Sequence, residues 1–99
     1  MPARIDPEDR FRHSEEVASR KILGEILLVP IRTSSKQKLG VYTLNETASW
    51  LWEKMDGSVT CAQLVDAMTE RFEVESEQAE NDVEVLCQDL LSFGAIVGI

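Results

Sequence analysis

Apolar residues along this chain follow two different spacings, and the change falls at Asn45. Before it they come in short runs. Residues 15–23 hold Val17, Ala18, Ile22 and Leu23, a weak strand pattern that Gly24 breaks. "EILLVPI", residues 25–31, is the strongest strand signal, a Leu and β-branched run between a glycine and a polar stretch. Pro30 has no N–H for a ladder, so it belongs at the strand end or on an edge. "RTSSKQK", residues 32–38, is a polar, basic loop, and "LGVYTL", residues 39–44, reads as a third strand. These three predict a short antiparallel meander.

After Asn45 the apolar positions recur at helical intervals. Ala48, Leu51, Trp52 and Met55 stand at i, i+3, i+4 and i+7, one face of a helix. Asn45 suits its N-cap, because the side-chain oxygen accepts from an orphan backbone N–H. Gly57 suits the left-handed position just past its end. Thr60 and Gln63 fit a capping box for a second helix with Cys61, Leu64, Val65, Met68 and Phe72 on its stripe. Ser76 is the expected N-cap of a third helix over residues 77–93, with Ala79, Val83, Leu86, Cys87 and Leu90 inward and Gly94 as its stop. "AIVGI" either adds a short strand or packs down. Residues 1–14 carry two prolines and many charges, and read as a flexible charged tail ahead of a domain over residues 15–99. The fold class is α+β, a three-stranded antiparallel sheet followed by three helices, like a winged helix-turn-helix.

Composition narrows what such a domain does. The 99 residues are 43% apolar, enough for one ordinary core. The longest apolar run is far short of the roughly 20 residues a membrane span needs, and the charged start is no secretory signal. The expected location is the cytoplasm, with no membrane partner. Cys61 and Cys87 have no CxxC partners and fall on helix stripes, so both read as reduced, buried thiols. One histidine, His13, and these two cysteines make neither a metal site nor a nucleophilic triad. No glycine-rich phosphate loop is present. The chain is expected to be no enzyme and to need no cofactor or metal.

Charge argues against nucleic acid. Residues 1–44 hold 8 Lys/Arg against 6 Asp/Glu, but residues 45–99 hold 2 against 12. The third helix, where a recognition helix would stand, has Glu77, Glu80, Asp82, Glu84 and Asp89 and no basic residue. Phosphate contacts supply the basal affinity of DNA binding, so this helix would repel a duplex. A DNA-binding regulator is the weakest of three readings. The others are a peptide-binding module and a structural or dimerisation module of a larger complex.

Two off-stripe features favour binding. Trp50 lies about 160° from the centre of its helix stripe, so it either covers the sheet edge or faces a partner. On the third helix Val85 groups with Gln78, Asp82 and Asp89, a mixed apolar and acidic ridge. That ridge is either a solvated face or one wall of a groove. The strand with Leu39, Val41, Tyr42 and Thr43 would be the other wall, adding a peptide strand through its outer edge. A free edge also allows a homodimer.

The ordered combination of Leu44-Asn45-Glu46-Thr47-Ala48, Leu51-Trp52, Asp56-Gly57 with Thr60, Phe72, Asp82-Val83 and Leu90-Leu91 before Gly94 resembles the PqqD-like family. The likeness runs over residues 39–97, and "GEILLVPI" before it also fits. The resemblance implies a peptide chaperone, or recognition element, for ribosomally made and later modified peptides. In PqqD proper the cargo is the precursor of pyrroloquinoline quinone (PQQ), whose leader is presented to a radical-SAM maturase. Family members hold the leader as a strand against the third strand and over the third helix. The partners implied are therefore a precursor leader peptide and a modifying enzyme of the radical-SAM type. The peptide-binding residues expected here are Leu39, Val41, Tyr42, Thr43, Gln78, Asp82, Val85 and Asp89. Val83→Arg puts a charge in the core and abolishes cooperative melting. Val85→Arg leaves the melt unchanged and weakens peptide binding; normal binding by that variant would remove the helix ridge from the site.

Overall fold

The computed structural model describes residues 5–31 and 40–99. Its elements in chain order are β1 (Arg10–His13), β2 (Val17–Ile22), β3 (Glu25–Pro30), β4 (Tyr42–Leu44), α1 (Glu46–Glu53), β5 (Asp56–Thr60), α2 (Cys61–Arg71), α3 (Ser76–Phe93) and β6 (Ile96–Gly98). The expected meander is present as an antiparallel sheet in the order β2-β3-β4, and the three helices follow it. The fold is α+β and winged helix-turn-helix-like. A second three-stranded sheet, β5-β1-β6, is added to it.

The meander follows from local chemistry. β2 and β3 join through Leu23 and Gly24, both at positive φ (50° and 85°), the two-residue turn whose twist suits a hairpin. A leucine in that conformation costs about 1–2 kcal/mol, and Leu23 is 95% exposed, so the turn's twist rather than packing keeps it there. Along β3, Ile26 and Leu28 face the core with Leu44 opposite Ile26 in register. Pro30 ends the strand, as its missing N–H requires.

α1 starts where the sequence indicates. The Asn45 side chain accepts from the Ala48 N–H at 2.8 Å. One turn in, Ser49 is fully buried. Its hydroxyl accepts from the Ile26 N–H at 2.9 Å and donates to the Leu44 carbonyl at 3.0 Å, tying α1 to β3 and β4 at once. The end of α1 departs from expectation. The Lys54 N–H closes the helix on Leu51 and Trp52, and residues 56–60 go on as β5 instead of a turn. Gly57 sits in that strand at φ +91°, where a Cβ would meet Ile99 Cδ1 at 2.7 Å. Its glycine serves a close approach and an irregular pairing with β1.

The capping box of α2 is complete, with Thr60 and Gln63 bonding each other's backbone N–H at 2.9 and 3.1 Å. The N-cap of α3 is Glu75 rather than Ser76, because the Ala79 N–H reaches the Glu75 carbonyl and the helix gains one residue. Gly94 closes α3 in the left-handed conformation. All five inward residues expected of α3 are buried, as are Cys61, Leu64 and Met68 of α2, while Val65 and Phe72 are half-buried. Trp50 packs rather than projects. It meets Phe72 edge-on at 5.4 Å, and Lys54 Nζ lies 4.5 Å from its ring centre.

The largest correction concerns the expected tail. Residues 10–13 form the middle strand of the second sheet, and the domain therefore begins before residue 15. Phe11 is buried, and the His13 ring stacks on Trp52 at 3.7 Å while Nε2 donates to the Trp52 carbonyl at 2.7 Å. Upstream, the carbonyls of Pro7 and Asp9 accept from Ala62 and Cys61, satisfying N–H groups that the start of α2 leaves orphaned. Charge density hid this segment, since its neighbours in the sheet supply the bonding and only Phe11 needs burial. The expectation for residues 1–4 lies outside the described residues. Phe11→Ala lowers the unfolding free energy by about 3–5 kcal/mol, read from a denaturant midpoint. An unchanged midpoint would return the segment to a tail.

Candidate functional site

Between β4 and α3 lies an open groove of about 570 Å³. Its apolar lining comes from Ala48 and Leu51 of α1, Met68 of α2, Phe72 and Val74 beyond it, and Leu86 of α3. Thr43 and Asn45 line it from the strand side, and Asn81, Asp82, Val85 and Asp89 from the helix side. The described residues of the lining include two carboxylates and no cation.

The edge of β4 that borders this groove has no strand partner among the described residues. Its backbone groups can be assigned by parity. The Ile31 N–H bonds to the Glu16 carbonyl, so odd residues at this end of β3 turn toward β2 and even ones toward β4. Ile26 and Leu44 accordingly meet at the Ser49 hydroxyl on the β3–β4 side. Tyr42 has the parity of Leu44 and faces β3, which leaves the N–H and C=O of Thr43 pointing to the open edge.

Five residues expected from sequence come together here: Tyr42, Thr43, Asp82, Val85 and Asp89. Val85 is 48% exposed, as an off-stripe position requires. Gln78 lies outside the groove lining, one turn upstream, and donates from Nε2 to Asp82 Oδ1 at 2.8 Å. That bond orients the Asp82 carboxylate. Val41 is exposed just before β4 and outside the lining, and Leu39 lies outside the described residues. Sequence reasoning missed Met68 and Phe72, which share the core stripe of α2 and also reach the groove. It missed Val74 too, whose signal is an isolated apolar residue inside the acidic "EVESE".

One side chain spans the two walls. The Tyr42 hydroxyl donates to Asp89 Oδ2 at 3.4 Å, and its ring meets Phe93 edge-on. Burial of the phenol, then the Asp89 charge and the hydrogen bond to it, hold the Tyr42 pKa above its ordinary value. A raised folded pKa favours the neutral form. The stability this contributes is present below the ordinary tyrosine pKa and is lost as pH rises through the folded value. Tyr42 is the only tyrosine, so tyrosinate absorbance reports it directly. The folded midpoint lies above that of the unfolded chain, and Asp89→Asn lowers it; no change in that variant would disprove the cross-groove contact.

No helix of the described residues is long and apolar enough to cross a membrane, and among them no cluster of His, Cys, Asp and Glu could hold a metal ion. The groove offers a backbone edge, apolar surface and negative charge, which is the chemistry of holding an extended chain.

Comparison with known proteins bears on the same elements. The structure of TbiB1 in complex with the TbiA(beta) leader peptide is similar, with a TM-score of 0.73 and 20% identity over 86% of this chain and 93% of that one. So is lasso peptide synthetase B1 complexed with the leader peptide, at 0.75 and 23% over 89% and 98%. At these identities the likeness is one of fold. No curated protein matches the chain in sequence. The family model described as coenzyme PQQ synthesis protein D (PqqD) matches residues 25–96, a stretch that holds β3, β4 and all three helices. This chain belongs to the PqqD family.

Proposed function

We propose that this protein binds the leader of a ribosomally made precursor peptide as an added strand on β4 and presents it to a modifying enzyme. The observation that carries the reading is the open edge of β4, with Thr43 facing outward, beside an apolar groove walled by α3. Family membership supports it, and so do the two similar structures, both of which are leader-peptide complexes.

Magnitudes divide the work among the parts of the site. Each strand hydrogen bond is worth about 0.5–1.5 kcal/mol net. One apolar leader side chain buried over Met68, Phe72 and Leu86 contributes about 1.5–3 kcal/mol. Exposed carboxylates such as Asp89 contribute about 0–1 kcal/mol each. The apolar anchor therefore sets affinity, the strand bonds set direction, and Asp82 and Asp89 select a leader with a basic residue near the anchor. Val41 and Gln78 belong to the ends of this surface, and Leu39 lies outside the described residues. The modifying enzyme is assigned to the radical-SAM type on the family's association with PQQ synthesis. The same edge accepts a second copy of the chain, so a homodimer competes with the leader.

The test is isothermal titration with the leader of a precursor encoded beside the gene, and with its scrambled sequence. The expected result is saturable binding that scrambling abolishes. Thr43→Pro removes an outward N–H and no bond to β3, so it weakens binding at least about tenfold with the melt retained. Equal heats from both peptides, or full binding by the proline variant, would overturn strand addition.

A further inference from the structure

The two flanks of α3 are acidic. The groove beside β4 holds Asp82 and Asp89, and a second cavity, of about 500 Å³ near Pro7 and Cys61, is rimmed by Asp6, Asp66, Glu80 and Glu84. The outer face of the β2-β3-β4 sheet has a different character. Strand alternation sends Ile26 and Leu28 inward to the core and turns Leu27 and Val29 outward. Register then places Ala18 beside Val29, with Arg20 and Thr43 on either side of Leu27. Ile31 and Val41 continue the same parity past the strand ends. Of the eight large apolar side chains that stand exposed among the described residues, five belong to this sheet or its ends: Ile22, Val29, Ile31 and Val41, with Leu23 at the hairpin tip. Arg20, in the middle of the face, has no ion pair among the described residues.

We propose that this face docks the modifying enzyme, through an apolar surface on the enzyme that carries a carboxylate for Arg20. The inference rests on the leader-binding reading, since a leader strand added to β4 widens this same sheet. The leader residue opposite Thr43 points its side chain to the outer face, next to Leu27, while the residues before and after it turn into the groove. An enzyme seated on the face therefore touches the domain and the bound leader together.

Contiguous exposed apolar surface marks interaction sites, and here it surrounds one cation instead of the carboxylates found on both flanks of α3. A second copy of the chain fits less well than a foreign partner. In a two-fold dimer centred on this face, Arg20 would approach the Arg20 of the other copy. Because the enzyme meets the leader as well as the sheet, each tightens the other by the same factor.

The experiment titrates the full-length protein with the purified modifying enzyme encoded beside the gene, with and without saturating leader, and titrates the leader by itself. The wild type is expected to bind the enzyme saturably, and at least about fivefold more tightly when leader is present. Val29→Glu and Arg20→Glu each weaken enzyme binding at least about tenfold, with leader affinity and the melt unchanged. Ile99→Glu, at an exposed apolar site away from this sheet, leaves enzyme binding as it is. Full enzyme binding by both sheet variants, or leader affinity that falls in step with enzyme affinity, overturns the docking face. A wild-type dimer that Val29→Glu makes monomeric also overturns it and gives the face to a second copy. Wild-type protein that binds leader but not enzyme overturns this proposal alone. Failure to bind leader at all overturns the leader reading itself, and shows in the leader titration before any enzyme is added.

Discussion

The hydroxyl of Ser49 is the contact on which this structure turns. It stands where β3, β4 and α1 meet, and it is buried with its donor and its acceptor both used. A buried hydroxyl left unpaired would cost about 1–3 kcal/mol, so the three elements must arrive together for any to be stable. The consequence is directional. With Leu44 held at Ser49, β4 is pinned on β3 by one edge, and α1 is obliged to leave across the sheet. The opposite edge of the strand is thereby kept straight and open above α1 and facing α3. α1 extends the same constraint further, because Trp52, one turn past Ala48, carries the stacked His13 and so links the first sheet to the second.

α3 acts as a partition. Its buried stripe divides two exposed flanks of different character. Asp82, Val85 and Asp89 look into the groove beside β4, and Glu80 and Glu84 rim the cavity near Pro7 and Cys61. Both flanks are acidic, yet they differ in what accompanies the charge. In the groove, charge is added to a long apolar floor and to strand bonding. At the cavity it stands beside Ile5, Pro7, Val65 and Val83, with no strand edge among the lining. The strong negative charge of the rear of the chain is thus distributed over two surfaces, neither suited to a nucleic acid.

Where local chemistry determined structure, the sequence could be read directly. Asn45, the Thr60–Gln63 pair and Gly94 cap helices through bonds to residues close in sequence, and each was foreseeable. The ridge of Asp82, Val85 and Asp89 could be read because helical geometry alone puts those positions together. What escaped was non-local. Arg-Phe-Arg-His has too little apolar character to announce a strand, and its pairing partners lie at residues 56–60 and 96–98. Gly57 resembles a helix terminator until Ile99 is seen against it. Phe72 and Met68 look like core alone because a stripe does not reveal where the core opens. His13 appeared as a stray polar residue, although its ring completes a stack with a tryptophan 39 positions away.

The place of β1 between β5 and β6 has a bearing on how the molecule is made. β1 waits during synthesis for two later partners, β5 and β6, since Phe11 lies opposite Gly98. Loop-closure entropy rises only slowly with length, about 0.6 kcal/mol per doubling, so the long wait costs little at equilibrium. It costs time. The meander, the Ser49 corner and the helices can assemble during synthesis, but Phe11 and a bare strand remain uncovered until residues 96–98 emerge. Nascent chains stalled before residue 96 would hold a finished groove between β4 and α3 on a molecule still open at its second sheet.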